Sequence, residues 1–362
     1  SVDVPWLPFL ASKNALLDLT GRVAQARELS DQLIEGSLEK LGTFDNRVYG
    51  IPYLYATQVL FYRKDLFENP RLQADFERLY KTELAPPKTW YAFNLIAKYF
   101  TRKYNPDSPT EYGTACAASF NEALAAELYG RINGYQGEVI DAEGNVALYS
   151  TANIRAFRSY AECFDYCDPS CLGSYRLQDA AKDFYEGRVA MTVSFISHAS
   201  DIVDRTKSKV LDNIGYAFIP GKAPVLGGWS LSVNRHSKRP SLAFDWIRWL
   251  LSPEISLPFT ILSGNSTLSS IYRNSEVLKM YPWLNIALES FMLCKKRTTP
   301  YAPGLPIIPE NRYERIVAKV IYRYFRTPGR YTIEELVKNA HEELRDLTQS
   351  YGYKQKYSYP IG

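Results

Sequence analysis

Nothing in this 362-residue sequence approaches the ~18 consecutive apolar residues that a membrane-spanning helix needs. Histidine is scarce: His198, His236 and His341 are the three present, and they form neither HExxH nor any other two-ligand spacing. There is no G-x-S-x-G elbow, no GxxxxGKS/T phosphate loop and no glycine-rich dinucleotide fingerprint. These absences remove the recognisable sites of a nucleophilic hydrolase, a zinc hydrolase and a nucleotide-dependent enzyme. Neither a catalytic residue nor a cofactor is therefore assigned. A surplus of one charge sign is missing too. The net charge is only +4, and the basic residues are scattered apart from "CKKR" at 294–297. That is too weak a footprint for nucleic acid, and "CKKR" itself reads as a solvated helix end. The chain also lacks internal repeats and low-complexity tracts.

The five cysteines are an odd number, so they cannot all pair within one chain. Cys163, Cys167 and Cys171 recur every fourth residue in "CFDYCDPSC", a spacing that shares one helix face. Pro169, however, ends any helix near Cys167. The spacing is not that of a zinc pattern, which uses CxxC-like pairs or histidines. Two readings stand: small buried residues, or a local disulfide between Cys167 and Cys171.

What is present is an ordinary globular composition, 46% hydrophobic and 23% charged, at a length that suggests two lobes. "SDQLIEGSLEKL" (30–41) has apolar residues at helical spacing with Ser30 as a cap. "TFDNRVYGIPY" places an Asp-Asn turn before an extended piece, and "TQVLFYR" (57–63) is β-branched and aromatic enough for a buried strand. Thr89 can cap a helix whose apolar side carries Trp90, Phe93, Ile96 and Phe100. Small-residue and apolar strands are predicted at 112–118 and 189–195. Further strands follow in "NIGYAFIPG" and "GGWSLSVNRHS". Helices are predicted in "SFNEALAAELYGRING", "TANIRAFRSYAECF" and "LQDAAKDFY". From Pro240 the chain is nearly all helix. Leu242, Trp246, Trp249 and Leu250 lie on one side of the first of these helices. The last opens with the capping pair Thr332 and Glu335 and continues with the stripe Leu336, Ala340, Leu344 and Leu347. Strands alternating with helices and then helices alone indicate an α/β protein with a mainly helical C-terminal part.

Several stretches resemble one family in order along the chain. "YGIPY", "LFYRKDLF", "PPKTW" and "EYGTA" resemble the first half of the ABC-transporter extracellular solute-binding proteins of family 1, the maltose-binding-protein-like, sugar-binding class. "FYEGRVAMTVS" is similar to a signature of that family's second lobe. "IGYAFIPG" and "LGGWSLSVNRHSKRPSLAFDWIRWLLSPE" are similar to its return segment, and "DVPWLPFLASKNALLDLT" to a segment with an Asp, a Trp and a closing Asp-Leu-Thr. In the family that last segment follows an N-terminal βαβ-type region, whereas here it starts at Asp3. The resemblance thus implies a first lobe lacking its N-terminal strands. Arg63 stands where the family more often has Asn.

The resemblance implies a two-lobed periplasmic-binding-protein-like fold (type II) with a hinge. The first lobe is expected at 1–113 and 229–300, the second at 114–228 and 301–362. It implies an extracytoplasmic protein, in the periplasm or lipid-anchored at the cell surface. Such a protein is expected to act as a monomer, to bind a mono- or oligosaccharide in the inter-lobe cleft, and to deliver it to the permease subunits of an ABC importer. A ligand-sensing domain of a larger regulator or receptor is the alternative. Carried over position by position, the ligand-binding candidates are Asp3, Trp6, Tyr55, Gln58, Phe120, Asn121, Ser194, Phe195, His198, Trp229 and Asn265. Trp229, after Gly227-Gly228, is the foremost stacking candidate.

Overall fold

The computed structural model describes residues 1–355 except 121, 264 and 298. Its strands fall into two sheets. β1 (Val2–Asp3), β2 (Ile51–Ala56) and β7 (Gly227–Leu231) form a three-stranded sheet in the order β1-β7-β2. β3 (Gln58–Arg63), β4 (Tyr112–Ala115), β5 (Val189–Phe195) and β6 (Ile214–Ala217) form a four-stranded sheet in the order β4-β5-β3-β6. Within it, β5 runs antiparallel to β3 and parallel to β4. A short ribbon at 43–48 turns at Asp45 and Asn46, both left-handed at φ 49° and 58°, as the Asp-Asn pair predicts.

Thr57 alone separates β2 from β3, so the chain passes between sheets there and returns between β6 and β7. The sheets thus change over at Thr57, whereas the lobe boundary is expected at 113–114. Backbone ladders decide membership, and β3 pairs along its length with β5 and β6. Residues 58–113 therefore belong with the four-stranded sheet.

Both faces of that sheet are covered. Leu60, Met191 and Val193 pack in one core with α1 (Trp90–Tyr99), α2 (Glu122–Gly134), α3 (Thr151–Cys163), α7 (Glu310–Arg326) and α8 (Ile333–Ser350). Val59 and Phe61 pack in the other with α4 (Leu177–Tyr185) and α6 (Trp283–Leu293). Each fully buried side chain of this size contributes ~1.5–3 kcal/mol. Helix caps follow the sequence. Thr89 accepts the Ala92 N–H at 3.1 Å, and Thr332 and Glu335 satisfy each other's backbone N–H groups.

Three local expectations change. The predicted helix at 30–41 breaks at Gly36, which adopts φ 71°, and the Ile34 N–H donates instead to the Thr267 carbonyl at 2.7 Å. Helix α5 (Pro240–Leu250) buries Phe244 and Ile247, and leaves Leu242, Trp246 and Trp249 exposed. All five cysteines are free thiols, so Cys167 and Cys171 are not joined.

His341 is buried on α8, and its Nδ1 accepts the Tyr149 N–H at 3.2 Å. That bond requires the neutral ring. Burial, helped by Arg345, pushes the pKa down to about 4 from the ordinary 6.5. A depressed histidine contributes stability above 6.5 that is lost as pH falls toward 4. The melting temperature is expected to fall across that window, and His341→Gln, which can still accept from Tyr149, to flatten the fall. Scanning calorimetry across pH checks this; equal acid sensitivity in the variant would refute it.

Candidate functional site

The two sheets leave a cavity of about 620 Å³ between them. One wall comes from the three-stranded side: Asp3, Pro5, Trp6, Ala56, Gly227, Gly228 and Trp229. The facing wall comes from Phe120, Ala126, Leu177, Phe195, Ser197, Asn311, Glu314 and Arg315, and Arg297 reaches the cavity from the segment after α6.

The strand register builds the first wall. Asp3 on β1 and Leu54 on β2 both stand opposite Trp229 on β7. Gly228 holds φ 138°, and a Cβ there would meet the Leu54 carbonyl at 2.7 Å and Tyr55 Cα at 2.9 Å. Only glycine lets β7 approach β2 this closely, and that approach sets the half-buried Trp229 ring at the cavity.

Of the predicted site residues, Asp3, Trp6, Phe120, Phe195 and Trp229 meet in this one cavity. Trp6 is 59% exposed and Phe120 37% exposed, with Phe120 also packed on Tyr322 at 4.7 Å between ring centroids. Others do not reach it. Tyr55 is fully buried, its ring 4.8 Å from Phe291 and its hydroxyl 2.8 Å from that of Tyr272, because β2 turns this side chain into the core. Asn265 is buried and donates its amide to the Tyr55 carbonyl. Ser194 is buried within β5. Gln58 is buried at the sheet passage, where its Oε1 accepts the Val225 N–H at 3.1 Å and its Nε2 donates to the Ala126 carbonyl at 3.2 Å. Those bonds fasten the outgoing chain to the returning one. His198 is half-buried beside the cavity residues Phe195 and Ser197; burial lowers its pKa, against Asp201. Asn121 lies outside the described residues.

Sequence reasoning passes over the charged part of the site. Arg297, read as the end of a solvated "CKKR" run, is only 10% exposed and is held by Glu310 and Glu314, each 7% exposed. Its Nε stands 2.9 Å from Glu310 Oε1, and its Nη1 donates to Glu314 Oε1. Burial works against the Arg297 charge, but Glu310, Glu314 and Asp3 outweigh it and raise the pKa. Burial likewise raises Glu310 to about 8, with Arg297 opposing. A signal exists in the sequence: Glu310 and Glu314 share a helix face with the buried Tyr313, Val317 and Ile321. Two carboxylates in an apolar stripe demand a cation. The arrangement can hold a polyhydroxy ligand, with rings and fixed donors and acceptors on both walls.

Residues 1–284 match the family model described as bacterial extracellular solute-binding protein. A probable ABC transporter-binding protein of Deinococcus radiodurans is 23% identical over 80% of this chain and 67% of its own length. A probable amino-acid ABC transporter periplasmic-binding protein of Sinorhizobium fredii is 23% identical over 70% of this chain. The chain spans about half of that relative, 55%. Among solved structures, a solute-binding protein from Agrobacterium radiobacter K84 in complex with ribitol superposes with a TM-score of 0.80 at 22% identity, covering 96% of this chain and 84% of that one. The maltose-bound MalE3 of T. maritima gives 0.80 at 21% identity, covering 96% and 83%. At these identities the likeness is one of fold: two lobes with a cleft between them.

Removing Arg297 strands two buried carboxylates. Arg297→Met is expected to cost about 3–5 kcal/mol, read by urea denaturation, and adding Glu310→Gln and Glu314→Gln to recover most of that loss. A single variant as stable as the wild type would show that the triad does not hold the fold.

Proposed function

The chain belongs to the bacterial extracellular solute-binding proteins, and from that membership we propose that it captures a carbohydrate in the inter-sheet cavity and hands it to the permease subunits of an ABC importer. One observation carries the reading: aromatic rings and fixed polar groups from both sheets line one cavity of about 620 Å³. Sugar rings and polyol chains present C–H faces that pack on Trp229, Trp6, Phe120 and Phe195. Their hydroxyls donate to Asp3 and Glu314 and accept from Arg297 and Asn311. Arg297 arrives already paired with acidic groups, so it does not call for an anionic ligand. The ribitol and maltose held by two proteins of the same fold are not anionic. In this reading the protein works outside the cytoplasmic membrane as a monomer, and its partners are the sugar and the permease. It has no nucleic-acid partner. No helix among the described residues is long and apolar enough to cross a membrane.

Calorimetry against ribitol, mannitol, maltose and a set of amino acids tests the ligand class. Saturable heat with a polyol or sugar is expected; heat only with an amino acid would overturn the reading. Trp229→Ala tests the wall. Loss of an aromatic stacked on a buried ligand costs ~2 kcal/mol, roughly thirtyfold in affinity. The half-buried ring predicts a melting temperature within a few degrees of wild type. Unchanged affinity, or a collapse in melting temperature, would count against Trp229 as a ligand contact.

A further inference from the structure

A second cluster of functional groups lies away from the cavity. Cys116 follows β4, Cys163 closes α3 and Cys167 follows the turn at 164–166. Folding brings their three Sγ atoms within 4.8 Å of one another, with Cys116 and Cys163 at 3.3 Å. All three are at most 2% exposed. The Cys171 thiol lies against that of Cys167.

Beside them stands Arg131 of α2, completely buried. Its guanidinium lies 4.0 Å from the Trp90 ring, 5.0 Å from Tyr160 and 5.3 Å from Phe93. Its Nε and Nη1 have no hydrogen-bond partner, and among the described residues no carboxylate forms an ion pair with it. Aromatic faces help a desolvated cation; they do not cancel its charge. A buried guanidinium needs an anion, and the groups around it are the Cys116 and Cys163 thiols and the buried carboxyl of Glu127, one turn away on α2, whose Oε1 accepts the Ala117 N–H at 3.3 Å and whose charged form burial disfavours. A disulfide between any two of the thiols is neutral and would withdraw that anion. Thiolate sulfur supplies it.

We propose that Cys116, Cys163 and Cys167 form a closed binding site for a thiophilic d10 cation, Zn²⁺ being the probe, with Arg131 balancing the excess negative charge of the metal–thiolate centre. Four thiolates at ~2.3 Å from Zn²⁺ stand about 3.8 Å apart, and structural zinc sites are closed in this way. The triad is already near that spacing, and Cys171 is the nearest fourth ligand. On binding, each S–H bond breaks, a sulfur–metal bond forms and the proton leaves to solvent; no electron is transferred. With three thiolates the centre carries one negative charge, which Arg131 offsets.

The full chain, reduced, freed of metal by chelation and kept anaerobic, is titrated with Co²⁺ and then with Zn²⁺. The expected result is one equivalent of Co²⁺ with an intense sulfur-to-cobalt charge-transfer band, abolished by Zn²⁺. Binding tightens as pH rises, because protons are released. Cys116→Ser and Cys163→Ser each lose the band, while Cys294→Ser, whose thiol sits against Thr57, keeps it. Should either serine variant fail to fold, alkylation of the wild type, mapped by mass spectrometry, reads the same site. Zn²⁺ then protects 116, 163 and 167 and leaves 294 unprotected. A reduced wild type that binds no stoichiometric Co²⁺, or a band that survives in folded Cys116→Ser and Cys163→Ser, overturns the proposal. So does a band lost with Cys294.

Discussion

A guanidinium cannot be left bare in a protein interior, and the site of this protein is arranged around that constraint at Arg297. Its two carboxylates sit one turn apart at the start of α7. The pairing therefore pins the segment after α6 to the first turns of α7. Asn311, Glu314 and Arg315 come to the cavity through the same contact, and Asp3 stands close enough to add to the charge balance. With the ion triad, these polar groups are held in place before any ligand arrives. Binding then does not have to order those groups, a cost that otherwise weakens affinity.

The passages between sheets are fastened by a second device. Gln58 stands where the chain leaves the first sheet and is bonded to Val225, where it returns, and to Ala126 on α2. Lys295, on the segment leading to Arg297, exchanges backbone bonds with Pro224 and Leu226, and Cys294 reaches the Thr57 hydroxyl at 3.0 Å. Three crossing segments thus lie side by side. In two-lobed proteins motion is absorbed by a few such residues, while the lobes move as bodies. The carbohydrate reading follows from the placement: rings and polar groups reach the cavity from both sides of these crossings, Trp6, Trp229 and Asp3 from one and Phe120, Phe195, Asn311 and Glu314 from the other.

The aromatic stretch from Tyr53 to Phe67 shows how far composition reaches. β-Branched and aromatic content along β3 correctly implies a strand, and the rings of Phe61 and Phe67 pack on Phe184, Tyr216 and Phe100. Composition does not tell a core ring from a ligand contact, and the family resemblance places Tyr55 among the contacts. Its neighbour Ala56 lines the cavity instead. Side chains alternate between faces along a strand, so a shift of one residue exchanges wall for core. Likewise α5 presents two apolar faces, and only packing shows that Phe244 and Ile247 turn inward while Trp246 and Trp249 face outward.

Local physics, legible in the order of residues, determined the caps at Thr89 and Thr332, the strands at 58–63 and 189–195, the turn at Asp45-Asn46 and the α/β class. Each depends on neighbours a few positions away. An ordered series of short motifs, no single one decisive, was enough to indicate the family. The tertiary structure alone decided which residues meet. Asp3 and Trp229 are more than two hundred residues apart, and no spacing rule links them. Arg297 looked solvated because its run of basic neighbours is, and only the fold supplies the two carboxylates that bury it. Cys116 joins Cys163 and Cys167 because β4 ends where α3 ends. The physical reason is the same throughout. Helices and strands answer to interactions along the chain, whereas a cavity, a buried charge and a thiol cluster answer to what is adjacent in space once the chain has returned on itself.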